Sequence, residues 1–286
     1  MMCKIPFLKE GISWFEILST VILPVVLFLS GYWLGVFIES FKEKRKKERL
    51  KKYFIQLIHQ LNKKLEKQII EINLAIERQD DYTSKKLMAD RVSGESHKLL
   101  RYINREELYE IIVEKKKRKT EERTKLFDEL MSKIDFVYEF LNVFEINLMN
   151  IPKSYSIYDK LWNDSQFELV QTYNLLVTTS HLHKGKDKLV DELSKIFTRI
   201  NDLKGDKPYI DDIMLSYNAV IEPMNEILLS INDDVRTVKL MDLVQKSKFA
   251  FFGMREIRRS NKDNYLLMAE RLEEVRKEIL ELLTKL

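Results

Sequence analysis

Residues 17–38 read ILSTVILPVVLFLSGYWLGVFI, 22 positions without a charged side chain. At about 1.5 Å per residue, a helix of that length spans the roughly 30 Å hydrocarbon core of a bilayer. Trp14 and Phe15 lie before the run, and Tyr32, Trp33 and Phe37 lie near its end, where interfacial aromatic belts sit. Pro24 is tolerated inside a membrane helix and predicts a kink. A cleaved signal peptide would carry a shorter apolar region, about 7 to 15 residues, ending in small residues. Here the run stops on Glu39, Phe41 and Lys42, so a retained transmembrane helix is predicted.

Residues 42–52 read KEKRKKERLKK and hold eight cations, Lys42, Lys44, Arg45, Lys46, Lys47, Arg49, Lys51 and Lys52, against two glutamates. Only Lys4 and Lys9 precede the apolar run. This asymmetry predicts a single-pass inner-membrane protein with residues 1–16 outside and the body in the cytoplasm. The same eight cations are candidate ligands for anionic lipid headgroups, which makes membrane lipid the first expected partner. Gly31 and Gly35 form a G-x-x-x-G pair, a spacing that lets two membrane helices approach closely, and predict association into a homo-oligomer.

The rest of the chain reads as helix almost throughout. Seven glycines and five prolines in 286 residues, with 33% charged and 45% hydrophobic side chains, are the composition of long helices, and Leu, Ile, Val and Phe are too plentiful for disorder. The single cysteine, Cys3, permits no intramolecular disulfide and suits a reducing compartment. Net charge is +4, of which the 42–52 run supplies more than all, so the remainder is slightly acidic and is not a basic nucleic-acid-binding particle.

Phe54, Ile58, Leu61, Leu65, Ile69, Ile72 and Ile76 recur every three or four residues and predict a stalk helix over 39–79. A cytosolic α-helical bundle over 80–286 should follow, making the fold all-α. Its predicted helices span 96–117, 120–150 ended by Pro152, 165–183 opened by a Ser165-Gln-Phe-Glu168 capping box, 187–203, 209–231 kinked at Pro223, 234–260 and 263–286. The 120–150 segment carries Phe127, Leu130, Ile134, Val137, Leu141, Phe144 and Leu148, and the last segment carries Met268, Leu272, Val275, Ile279, Leu282 and Leu286. Both stripes predict bundle faces, the second being too short to argue a coiled coil alone.

Chemistry is sparse. No glycine-rich phosphate loop and no nucleophile elbow occurs, and Cys3 lies outside the body. His181 and His183 point to different sides of a helix and read as helix-end residues before Lys184-Gly185, so no metal site and no cofactor is expected. The pairs Asp80-Asp81, Asp211-Asp212 and Asp233-Asp234 fall at predicted helix ends and read as caps. A second basic run, Lys115 to Lys125, lacks aromatic residues to stack on bases and reads as a solvated junction.

Arg91 and His97 form R-x-x-x-x-x-H, which resembles the motif of HEPN ribonucleases, small helical bundles that cleave RNA without metal. That resemblance implies a paired site in which His97 moves a proton and Arg91 holds the phosphate. The leading expectation is nevertheless non-enzymatic: a membrane-anchored helical module that self-assembles or binds an unidentified cytosolic protein. The build also resembles membrane-anchored helical effectors of bacterial antiviral systems, which implies, at the level of architecture, a role in defence. A membrane-tethered HEPN-like nuclease using Arg91 and His97 is the alternative.

Overall fold

The computed structural model describes residues 19, 22–114, 120–182, 187–204, 210–231 and 233–286. Residues 1–16, the start of the apolar run, His183, Lys184-Gly185, Gly205, Pro208 and the Lys115–Lys119 half of the second basic run lie outside the described residues, as do the side chains of His181 and Leu148. The described residues form helices and connecting turns without a strand.

Helix α1 runs unbroken over Leu23–Asp80, taking the apolar segment and the stalk in one rod about 87 Å long. Pro24 falls at its first turn, where a missing N–H costs nothing. The stalk stripe is buried at Phe54, Ile58, Leu61, Leu65 and Ile72, with Ile69 and Ile76 partly covered. After α1 a non-helical strap, residues 81–95, folds back along it. Two short helices follow, α2 (Ser96–Arg101) and α3 (Arg105–Tyr109), the latter running into a π-helical turn at Glu110–Glu114. This region replaces the continuous 96–117 helix expected from sequence, because Asn104 starts a new helix and its side chain accepts from the Glu107 N–H.

Helix α4 runs over Thr120–Leu182, 63 residues, straight through Pro152 and Ser165. Here two sequence expectations fail. Pro152 does not end the helix, although it cannot donate to the carbonyl four residues back. Ser165 is no N-cap either: its Oγ donates backward to the Trp162 carbonyl, 3.0 Å away, inside a continuing helix. The expected break between 260 and 263 is likewise absent, since α8 is a single helix over Thr237–Lys285. One cause accounts for all three. The two helices lie antiparallel along their whole length, tied by Arg123 to the Leu286 carbonyl (2.8 Å), Lys133 to Glu278 (2.7 Å) and Ser247 to Ser165 (2.9 Å), and burial along that seam outweighs a local breaker.

Between α4 and α8 lie α5 (Lys188–Lys204), α6 (Ile213–Ser216), a π-helical segment Tyr217–Ile221, and α7 (Glu222–Ser230). Where a kink at Pro223 is expected, the helix takes on this π segment, and Pro223 falls in the first turn of the helix that follows. All three acidic pairs sit at helix ends. Asp81 follows α1 and accepts from Thr83, Asp212 caps α6 by accepting from the Leu215 N–H, and Asp234 accepts from the Arg236 N–H just before α8.

Two cores result. The near bundle, next to the apolar segment, is built from α1, α2, α3 and the adjoining halves of α4 and α8; both predicted C-terminal and 120–150 stripes feed it. The far bundle is built from the other halves of α4 and α8 with α5 to α7. Only α4 and α8 pass through both.

Candidate functional site

Among the described residues, the large apolar side chains of Ile22 to Phe41 are exposed, Phe28 by 74% and Trp33 by 68%, and the most hydropathic 18-residue window of α1, with mean hydropathy 1.6, has none of its residues buried. The exposure is on every side of the helix. A helix lying flat on a surface needs one apolar and one polar face, whereas a helix apolar all round needs an apolar surround. Full burial of each such Val, Leu, Ile or Phe stabilises by about 1.5–3 kcal/mol, so this segment carries a large unmet driving force. One described helix, α1, is therefore long and apolar enough to cross a membrane, and its apolar window lies outside the bundle core that its later turns enter.

The cationic run follows without a break in the helix. At 100° per residue, its eight cations surround α1 as a collar rather than a stripe. Two of them face the bundle: Lys46 pairs with Glu107 (2.9 Å), and Lys47 with Glu43 and Glu110 (3.1 Å each), which raises the Lys47 pKa through the Glu110 and Glu43 hydrogen bonds. Arg45 stacks over Phe41 at 4.5 Å. Lys42, Lys44, Arg49, Lys51 and Lys52 pair with no carboxylate among the described residues, leaving the collar with an excess of free positive charge. Gly31 and Gly35 have nothing within 4 Å of where a β-carbon would stand, so both are open to an approaching helix.

Arg91 and His97 converge on a second cluster, around Lys64. Lys64 Nζ donates to the Gly94 carbonyl (2.7 Å) and lies 3.3 Å from His97 Nδ1, while Arg91 pairs with Glu145 of α4. Gly94 holds φ +126°, a conformation that favours glycine. His97 is buried, 3% exposed, and burial followed by the Lys64, Lys98 and Arg91 charges lowers its pKa to about 4. Burial and Arg91 lower that of Lys64 to about 8. The imidazole is therefore neutral at neutral pH and accepts from Lys64. The cavity among these residues is about 10 Å³, enough for one water and not for a ribonucleotide. Chemically the cluster is a clasp: Lys64 with Gly94, and Gln68 with Asp90 and Val92, satisfy strap backbone groups that helix geometry leaves without partners.

A third feature escaped the sequence reading. Arg258 of α8 is 2% exposed and caps the end of α1 from outside, donating to the carbonyls of Arg78 (3.1 Å), Asp81 (3.0 Å) and Ser84 (2.8 Å) and to the Tyr155 hydroxyl (3.2 Å), under the ring of Tyr82. The last carbonyls of a helix lack partners and carry negative potential, which a guanidinium answers with several donors at once. The available signal was positional: Met254, Arg258, Asn261 and Tyr265 continue the buried stripe of α8, so a charged residue stood at a core position. Lys64, between Leu61 and Leu65, gave the same signal.

Among the described residues no group of three or more His, Cys, Asp or Glu is placed to hold a metal ion. The chain matches no protein-family model, no curated protein and no solved structure.

Proposed function

We propose that this chain is a single-pass inner-membrane protein, N-terminus outside and bundle in the cytoplasm, that acts without catalysis as an anchored assembly module. The observation that carries the reading is the continuity of α1: a helix apolar on every side passes through a basic collar and, without a break, becomes the central helix of the near bundle. Rigid continuity means that anchoring also orients the bundle, with its long axis along the membrane normal. The collar, with its five unpaired cations, supports contact with anionic headgroups, each worth about 1 kcal/mol near such a surface.

The test is alkaline carbonate extraction of membranes from cells expressing the full chain, with protease added to intact spheroplasts and to inverted vesicles. The protein should stay with the membrane, and the bundle should be cut only in inverted vesicles. Leu27→Arg/Leu29→Arg should release an intact bundle to the soluble fraction. Recovery of the unaltered full chain in the supernatant would end this reading.

A further inference from the structure

The two cores stop short of each other, and the gap between them is polar. Among the described residues of α4, the buried apolar side chains end at Phe144 and resume at Trp162; on α8 they end at Met254 and resume at Tyr265, and the two buried residues between are Arg258 and Asn261. Arg258 answers the end of α1, but Asn261 answers nothing: it is 8% exposed, and its Nδ2 has no hydrogen-bond partner among the described residues. A buried amide donor left unpaired costs free energy, so native structures give nearly every one a partner. The register set by Lys133 with Glu278 and Ser165 with Ser247 puts Asn261 level with Ile151, where a groove of about 480 Å³ opens between the two helices. Asn261 lines this groove, with Ile151 and Ser154 on the α4 wall and Glu256, Ile257 and Asn264 beside it on the α8 wall. Ser154, Glu256 and Asn264 are exposed and pair with nothing among the described residues.

Among the described residues no Lys, Arg or His and no aromatic ring lines the groove, so it offers no cation to a phosphate or carboxylate and no face on which a nucleobase or a quaternary ammonium would stack. It offers instead one exposed carboxylate, one buried N–H donor and an apolar wall. We propose that this groove binds a small organic amine that also bears an amide carbonyl: the ammonium pairs with Glu256, the carbonyl oxygen accepts from Asn261 Nδ2, and the methylenes between them lie on Ile151 and Ile257. Glu256 and Asn261 are five residues apart, about 7.5 Å along α8, so the two polar ends of the ligand are separated by a chain of several methylenes. The oxygen is neutral, because a carboxylate taken down to Asn261 would be buried without a cation. The volume suits a small molecule, and such sites favour the seams between packed units. Binding here involves no membrane contact, so it stands or falls apart from the anchor.

The experiment is calorimetric titration of the detergent-solubilised full chain with 6-aminohexanamide, an ammonium and an amide carbonyl joined by a methylene chain. Saturable binding at a single site is expected. It should weaken about tenfold or more with hexanamide, which lacks the ammonium, with 6-aminohexanoate, which carries a carboxylate in place of the amide, and in Glu256→Gln protein. Asn261→Leu should weaken it similarly while leaving Tm unchanged or higher, since the substitution removes an unpaired buried donor. Glu256 is exposed, so Glu256→Gln tests binding in a folded chain. No saturable binding at millimolar 6-aminohexanamide, equal affinity for either analogue, or full affinity in Glu256→Gln protein overturns the proposal. A lower Tm in Asn261→Leu protein also overturns it, by showing that the amide holds the seam itself.

Discussion

The near and far bundles share two helices yet are assembled differently. The near core is mostly aliphatic, drawn from α1, α4 and α8 at intervals of three and four residues, and the polar side chains of α1 reach sideways to carbonyls of the strap: Gln79 to Leu87, Gln68 to Asp90, Lys64 to Gly94. In the far bundle short helices pack by aromatic stacking. Tyr217 lies on Phe251 at 4.0 Å and Tyr173 on Phe197 at 3.7 Å, with Trp162 beside Phe251. α5 still buries a repeating stripe at Leu189, Leu193, Ile196 and Ile200, but α6 and α7 are too short to repeat one, so shape complementarity takes over there. Arg258 stands at the seam, holding the end of α1 to a helix that belongs to both halves.

The largest effect should come from breaking that seam. Arg258→Ala strands buried carbonyls at the end of α1 and should cost about 3–5 kcal/mol, by analogy with removing one member of a buried polar cluster. In hydrogen exchange, amides near residues 75–80 should lose protection before those of the far bundle. Equal loss in both halves would show that the seam does not separate them.

An intermediate effect is confined to the near bundle and depends on pH. The folded pKa of His97, about 4, lies below the ordinary 6.5, so the unfolded chain takes up a proton that the folded chain refuses. Its contribution is fully present above about pH 6.5 and is lost as pH falls towards 4, by about 3 kcal/mol at most. His97→Gln should flatten the denaturant midpoint over that window, and an unchanged slope would count against the buried neutral imidazole.

The smallest effect sharpens the far bundle. A β-carbon at Gly253 would overlap the Tyr158 ring, so Gly253→Ala should cost about 1–2 kcal/mol despite alanine's better helix propensity. Gly253→Ala/Tyr158→Ala should recover part of it; a stabilised single variant would show that the ring swings aside freely.

How legible the molecule is in its sequence follows the same division. Phe127, Leu130, Ile134, Val137, Leu141 and Phe144 are all buried where their period placed them, as are Leu272, Val275, Ile279 and Leu282. The spacing of Arg91 and His97 is local, and the fold does bring them to one cluster, but the surroundings that keep His97 neutral include Lys64 of α1 and Tyr138 of α4, distant in the chain. Local signals at Pro152, Ser165 and the 260–263 segment pointed to helix ends that do not exist, because each is worth a few kcal/mol at most and the α4/α8 seam accumulates burial over dozens of residues.

By itself the sequence determined the all-α class, the apolar segment of α1, the collar that follows it and the buried stripes of the near bundle, since these rest on composition and on periods that a helix imposes on its neighbours within a turn or two. Only the tertiary structure decided that α4 and α8 are unbroken, that Arg258 caps α1 from 178 residues beyond its last residue, and that Lys64, Arg91 and His97 meet at one clasp. Those are matters of register between helices far apart in the chain, and no local pattern records which turn of one helix will stand beside which turn of another.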